Sequence, residues 1–540
     1  MSEYNVPLDE IERFLHGYDE EKYIVNITYD SKENLIYKYK HHPDGTKTVD
    51  KEPLISFMWM KHLGALKEKY NFYGNNHLNI KNAKKEYGID IKVLADYDNE
   101  RLKNGYKYLV TCTQGHSRML DFFRKGGFRG GVYDKTDKIN EHFLIIDPTV
   151  QYLIQTGKRL FKGYEDYNDI EKFYFDIETT GLDPRTSRIF MIGCKTNKGF
   201  EELFVCETEG ENADKTEIEA IIKFFQAIDL IKPAIIAGYN SANFDWDFII
   251  KRCQILGVDI TQISKTLNQN YNINLSNGRL KLGGDLESYS QVNMFGYSII
   301  DIIHSTRRAQ AIDSNMKSAS LKYVCKYNKV NKTNRVYIPG DKIKNYWNSK
   351  ETYFFDEKTG SYLNKRPNIS YFEFSKKINI SENPNTIHVF YDSEDFIDTK
   401  DFLSNYRNCS NFIGIPIISS INASESSFYN DEEYEINKNK INYFISEILK
   451  KIREGYDISF QNIDSRILNV LKEKSPLTHK FLTSSIAAIE KYVSKWNEVD
   501  GKFIVKRYLM DDLWETMEVD GIYNQVYFML GKMTPSNYQE

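Results

Sequence analysis

Cysteine is sparse and unpaired in this chain: six stand at 112, 194, 206, 253, 325 and 409, with no CxxC spacing. That pattern excludes a disulfide framework and a zinc ligand set, and it predicts a reducing, intracellular setting. An apolar run of about 18 residues is also missing, and the opening MSEYNVPLDEIERF carries acids where a secretory signal needs a basic stretch. The expectation is a cytoplasmic protein with no membrane partner. Net charge is only −4 over 540 residues, so no global field draws in nucleic acid, and any such contact has to come from local basic surface. Proline is scarce as well, 12 residues against 39 tyrosines. An aromatic fraction of 14% reads first as core and second as base-stacking surface.

What is present is enough for several domains, since a chain of this length exceeds a single hydrophobic core. Residues 1–170 mix alternating stretches such as KYIVNITYD with the helical pattern of ISFMWMKHLGALKEKY, and predict an α+β N-terminal domain. Within it, RKGGFRGG at 124–131 reads as a hairpin loop or as a glycine-rich approach to a phosphate backbone. Residues 171–335 run strand, strand, strand, helix, strand, helix, the order of a mixed α/β sheet. Residues 336–478 interrupt that order with Asn-, Lys- and Ser-rich segments, an irregular α+β insertion of unknown role. Helical patterns return over 479–540.

The chemistry concentrates in carboxylates. Asp176 and Glu178 alternate along a strand after the apolar run FYF, so both point to one face. Two buried acids side by side raise each other's pKa, and a divalent cation is the natural neutraliser. Thr179, Thr180 and the Gly181-Leu182-Asp183-Pro184 turn end that strand. Farther on, GYNSANFDWDFII places Asn243, Phe244 and Asp245 where a strand gives way to an amphipathic helix. Asp245 or Asp247 could merely cap that helix. Paired with the upstream acids, Asp245 reads instead as part of a shared site.

DIETTGLDP and GYNSANFD resemble the first and second exonuclease motifs of family B DNA polymerases, within the wider ribonuclease-H-like nucleases. The resemblance implies a fourth carboxylate on a C-terminal helix, four residues after a Tyr that orients water. Tyr133 with Asp137, Tyr297 with Asp301, Tyr391 with Asp395 and Tyr508 with Asp512 all have that spacing. The first pair breaks the motif order, the third falls in the polar insertion, and Asp301 reads as a helix cap. Tyr508 and Asp512 sit on one face of a long helical pattern that is similar to the third motif of tailed-phage replicative polymerases. Adjacent Asp511 should face solvent.

On this resemblance Asp176, Glu178, Asp245 and Asp512 would bind two Mg²⁺ ions, with Mn²⁺ a substitute, and Tyr508 would aim the attacking water. Thr179, Thr180, Leu182, Asn243 and Phe244 would hold the single-stranded 3' end of DNA. Asn277-Gly278, between two alternating runs, predicts the turn of a hairpin, which in the family helps part primer from template. The palm and fingers motifs of the polymerase half are not found, so the expected function is a 3'→5' proofreading exonuclease with that palm, fingers and thumb half in trans or missing. A free-standing single-strand DNA exonuclease and a nuclease-dead primer-template binding module are the alternatives.

Overall fold

The computed structural model describes residues 5–6, 17–60, 88–94, 106–117, 119, 142–145, 147–267, 272–282, 285–372, 384–392, 411–416, 431–461, 465–474 and 476–538. The glycine-rich segment 124–131 and the pair Tyr133 and Asp137 lie outside them. The chain divides into two compact units, residues 1–331 with 512–540, and residues 332–511. Among the described residues no helix is long and apolar enough to cross a membrane. Cys112, Cys194, Cys206, Cys253 and Cys325 are all buried.

The first unit opens with β1 (Asn5–Val6), β2 (Ile24–Asp30), β3 (Leu35–His41), β4 (Lys47–Pro53), β5 (Ser56–Met60), β6 (Ile89–Leu94), β7 (Tyr108–Cys112) and β8 (His142–Phe143). Strands β2-β3-β4 form an antiparallel meander, and β1-β6-β7-β5-β8 form a second sheet. Ser56–Met60, expected to begin a helix, is therefore a strand. It pairs with β7 and β8 and buries four of its five residues, so its apolar run reflects two covered faces and not a helical stripe.

The next sheet carries the acids. Its strands are β9 (Lys172–Thr179), β10 (Ile189–Thr196), β11 (Glu201–Val205), β12 (Ile235–Gly238) and β15 (Ser298–Asp301), in the order β11-β10-β9-β12-β15. Pairings are antiparallel from β11 to β9 and parallel from β9 to β15, the mixed sheet expected for 171–335. Helices α1 (Ala213–Ile231) and α2 (Asp245–Leu256) pack on the face that presents Phe173, Phe175 and Ile177. Phe175 meets Trp246 edge-on with ring centroids 4.8 Å apart. Glu217 of α1 and Arg252 of α2 form a buried two-point ion pair at 2.7 Å, and Glu217 also accepts from Ile189 N at 2.9 Å. That junction ties both helices to β10.

Strands β13 (Asn274–Leu282) and β14 (Asp285–Asn293) make a hairpin before β15 and helix α3 (Ile302–Ile312). The hairpin exists, but its turn is not at Asn277-Gly278. The ladder closes at Leu282 opposite Asp285, while Asn277 and Gly278 lie inside β13 opposite Ser290 and Tyr289. A Cβ at 278 would come within 2.4 Å of Tyr289 Cζ. Glycine is there to seat a ring, which the dipeptide rule cannot distinguish from a turn.

The second unit contains an antiparallel sheet of β16 (Thr352–Asp356), β17 (Ser361–Leu363) and β22 (Asn497–Asp500). Beside it, β18 (Ile369–Phe372), β19 (Thr386–Asp392), β20 (Phe412–Pro416) and β21 (Asp457–Gln461) form an all-parallel sheet ordered β18-β21-β19-β20. Helices α4 (Asp431–Arg453), α5 (Ser465–Lys474) and α6 (Pro476–Ser494) accompany it, and residues of α4 and α6 share its core. The insertion is thus a regular α/β unit and not irregular. Its central strands β19 and β21 are buried along consecutive residues, so they carry no alternation to read. The chain then runs through α7 (Gly501–Tyr523) and α8 (Gln525–Met533).

Candidate active site

Alternation along β9 divides its residues into two sets. Phe173, Phe175 and Ile177 enter the core, and Lys172, Tyr174, Asp176 and Glu178 face the other way. Gly193 stands opposite Asp176 on β10 and puts no side chain beside it. Lys172 and Tyr174 grip α7 through Asp520, which is fully buried. Tyr174 donates to one Asp520 oxygen at 2.6 Å, Tyr167 and Asn524 donate to the other at 3.1 and 2.7 Å, and Lys172 Nζ lies 3.6 Å away. The clamp fixes α7 against the same strand face that carries Asp176 and Glu178, with Asp512 two turns upstream. Nothing in the motif spacing revealed Asp520, one of five acids in that helix.

Asp245 is the first residue of α2 and does not cap it. The preceding residue, Phe244, has φ −127° and ψ −70° and makes no side-chain cap bond. Asp245, 3% exposed, reaches instead to β9, where its Oδ1 accepts from Ile177 N at 3.1 Å. Asp247 takes the ordinary surface role, pairing with Lys251 at 2.6 Å.

The four acids act on one another. Burial first, then the charges of Asp245, Glu178 and Asp512, and a hydrogen bond donated to Asp245, hold the Asp176 carboxyl well above its usual range. Glu178 is raised by burial and by Asp512 and Asp245, with Lys322 pulling the other way. Asp245 is pushed up to about 7 by burial, against the bonds from Ile177 N and Asp176. As the side chains stand, no three His, Cys, Asp or Glu among the described residues enclose a metal position. The Asp176–Asp245 hydrogen bond raises the first carboxyl and lowers the second, the usual effect when two carboxyls are close neighbours. The donor set itself, four carboxylates in a buried neighbourhood, fits a hard divalent cation.

The remaining sequence-derived positions scatter around this centre. Thr179 Oγ1 donates to Gly181 O at 2.8 Å and Thr180 Oγ1 accepts from Arg188 N at 3.0 Å, so both hydroxyls hold the turn. Leu182 at its tip is 85% exposed. Asn243 is exposed, its Oδ1 3.4 Å from Ser290 N of the hairpin, and Phe244 is half-buried against Phe248. Tyr508 belongs to the second unit, one turn before Asp512 on α7, with the Arg335 guanidinium 5.7 Å from its ring. Asp511 is not solvated: it is buried, accepting from Lys332 Nζ at 2.6 Å and Val336 N at 2.9 Å. Asp301 does cap α3, donated to by Ile303 N, and it also accepts from Asn240 N and Ala242 N at 2.7 and 2.9 Å, bracing the loop that leads to Asp245.

Comparison with known proteins gives this site a family. Residues 149–324 match the family described as DNA polymerase family B, exonuclease domain, and residues 371–485 match a family of unknown function, DUF7831. DNA polymerase 2 of Aeropyrum pernix is 32% identical over 90 residues, 16% of this chain and 10% of that protein. The DNA polymerase of Phaeocystis pouchetii virus is 26% identical over 213 residues, 36% of this chain and 20% of its own length. The DNA polymerase of Thermococcus kodakarensis is 30% identical over 135 residues, 23% of this chain and 8% of its own. The chain thus matches a fifth or less of these relatives' lengths. Among solved structures, the family B DNA polymerase from Pyrobaculum calidifontis aligns with a TM-score of 0.40 at 17% identity, covering 61% of this chain and 42% of that one. The stretch that carries Asp176, Glu178 and Asp245 lies within the residues that match the exonuclease domain of DNA polymerase family B.

Proposed function

We propose that the chain is the 3'→5' proofreading exonuclease portion of a family B DNA polymerase, hydrolysing the last phosphodiester of a DNA 3' end, with palm, fingers and thumb supplied by a partner. The observation that carries this reading is the convergence of Asp245 and Asp512 on the buried carboxyls of Asp176 and Glu178, which they hold above their usual range, in a chain whose residues 149–324 match a family B exonuclease domain. A buried cluster of acids is costly, and a site that acts on phosphate through divalent cations is a chemistry that calls for one.

Mg²⁺, or Mn²⁺ in its place, would be held by the oxygens of those four acids and would supply charge neutralisation at the scissile phosphate and activation of water. The protein's own groups do the rest. The carboxyls of Asp176 and Asp245 are held above their usual range, so ligation by them would be coupled to proton release. Tyr508, on the α7 face of Asp512 by its four-residue spacing, hydrogen-bonds the attacking water; a phenol ionises near pH 10 and does not serve as the base. The water oxygen joins phosphorus, the bond to the 3' oxygen breaks, and that oxygen takes up a proton as a nucleoside 5'-monophosphate leaves. The exposed Asn243 amide and the ring of Phe244 orient the terminal nucleotide, and Leu182 presents an apolar tip to it.

The test is a 5'-labelled single-stranded DNA incubated with the EDTA-treated full-length chain. Adding Mg²⁺ should start stepwise shortening from the 3' end, and Asp176→Ala or Asp512→Ala should slow it by about a thousandfold or more with an unchanged circular dichroism spectrum. Cleavage that persists in EDTA, or in both variants, would sink the assignment.

A further inference from the structure

Beside the loop that joins β12 to α2 lies a cavity of about 300 Å³, walled by that loop, the hairpin, α3 and α8. None of the four acids of the candidate active site lines it. Its wall contains two polar side chains that are almost wholly buried and lack any hydrogen-bond partner, the Ser241 hydroxyl at 1% exposure and the Trp246 indole N–H at 0%. Buried donors are rarely left unmade, so two in one wall mark a place for an acceptor.

Two arginines and one carboxylate, Asp301, line the cavity. Arg279 and Arg308 both line the cavity, and neither meets a carboxylate among the described residues; Arg308 is held only by the Tyr527 hydroxyl at 3.2 Å. The nearby acids are already occupied. Glu287 pairs with Arg307 at 2.6 Å, and the Asp301 oxygens accept three backbone N–H groups. Tyr289 and His304 stand ring against ring with centroids 4.3 Å apart. Burial and Arg308 hold the His304 ring's pKa down to about 4, so at neutral pH it is an uncharged aromatic surface. The volume is at the lower end of the range for small-ligand sites, about 300–1,000 Å³, which admits one nucleotide and not a run of chain.

We infer that this cavity binds a free nucleoside monophosphate, its phosphate on the guanidinium groups of Arg279 and Arg308 and its base among the rings of Tyr289 and His304 and the unpartnered donors of Ser241 and Trp246. Arginine pairs suit a phosphate because their planar donors match its oxygens, and aromatic faces accept any base. Ser241 and Ala242 precede the segment Asn243–Asp245 and Trp246 follows it, so a bound monophosphate braces the backbone that carries Asp245. The site is separate from the metal-directed acids, and its occupancy does not depend on the nuclease reading.

Isothermal titration of dAMP into the full-length chain tests this, with Asp176→Ala and EDTA present throughout so that the acidic site contributes nothing. Saturable one-to-one binding is expected. Arg308→Gln and Arg279→Ala, the second at an exposed strand position, should each weaken it about tenfold or more while leaving the melting temperature within a few degrees. Inorganic phosphate should compete, and adenosine should bind at least about tenfold more weakly than dAMP. No binding at millimolar dAMP, equal affinity in both arginine variants, adenosine binding as tightly as dAMP, or the trinucleotide d(AAA) competing as well as dAMP would each overturn the inference. Loss of DNA cleavage in the active chain would count against the proposed function and leave this result standing.

Discussion

Replacing Asp245 by asparagine should stabilise the metal-free protein at neutral pH. The Asp245 carboxyl is raised from 3.8 to about 7, burial being the largest cause. Below about pH 4 it is protonated in both folded and unfolded chains. Between about pH 4 and 7 the unfolded chain has released the proton while the folded one keeps it, so stability falls as pH rises and the loss is complete above about pH 7. At about 1.4 kcal/mol per pH unit, a shift of about three units is worth at most about 4 kcal/mol. Asp176 and Glu178 are displaced in the same direction and add to the slope. Asparagine keeps the oxygen that accepts from Ile177 N and gains an amide that can donate to Asp176, so it removes the penalty and not the contact. Denaturant titrations in EDTA should show the wild type losing stability between pH 5 and 8 and the variant ahead of it at pH 8 by on the order of 1–3 kcal/mol. Mg²⁺ should reverse the ranking by binding only the intact acid set. A wild type no less stable at pH 8 than at pH 5, or a variant weaker at pH 8, would refute the electrostatic account.

Asp520→Asn should cost about 3–5 kcal/mol in thermal or chemical melting, because Lys172, 1% exposed, is left without its carboxylate; Lys172→Met in the same chain should recover most of it. Gly278→Ala should cost about 1–3 kcal/mol by overpacking against Tyr289, and a second change of Tyr289→Val should relieve it, as read by melting temperature. Asp511→Ala should lower stability by about 1–3 kcal/mol through loss of the Lys332 ion pair and of the acceptor for Val336 N–H while DNA shortening continues, whereas Asp512→Ala should stop the shortening with little change in melting.

The acids on β9 were legible because three local rules agree there: an apolar run, two-residue alternation, and a Gly-Leu-Asp-Pro turn that ends the strand. Asp245 was legible only in company, since a lone acid at a helix start reads as a cap. The structure separates the two meanings by where the carboxylate goes, to Ile177 N on a neighbouring strand. Asn277-Gly278 misled because the same missing Cβ serves a turn or the ring of Tyr289, and choosing between them needs the partner strand. Asp511 misled for a related reason. An ideal helix tells which way a residue faces and not what covers that face, and here Lys332 and Val336, some 175 residues upstream, supply the cover. In the parallel sheet of the second unit, the central strands β19 and β21 were hidden because strands buried on both faces lose the alternation on which a strand is recognised.

One strand therefore bears two opposite electrostatic loads on a single face. At its start, Lys172 and Tyr174 satisfy the buried Asp520 with a cation and a hydroxyl; at its end, Asp176 and Glu178 meet the charges of Asp245 and Asp512, with Lys322 acting against them on Glu178. The first half rigidifies α7 against β9, and rigidity is what lets the acidic half persist, since a loose helix would swing Asp512 out into water and dissipate the repulsion. If that division of labour holds, weakening the clamp should act on metal binding before it acts on folding. In the clamp variant Asp520→Asn, Mg²⁺ affinity measured by stability linkage should fall at temperatures where the variant is still fully folded, and the pH slope of metal-free stability should shrink, because Asp512 has gained freedom to leave. A variant that loses global stability while keeping both wild-type Mg²⁺ affinity and wild-type pH slope would show the clamp to be ordinary core, with no bearing on where Asp512 stands.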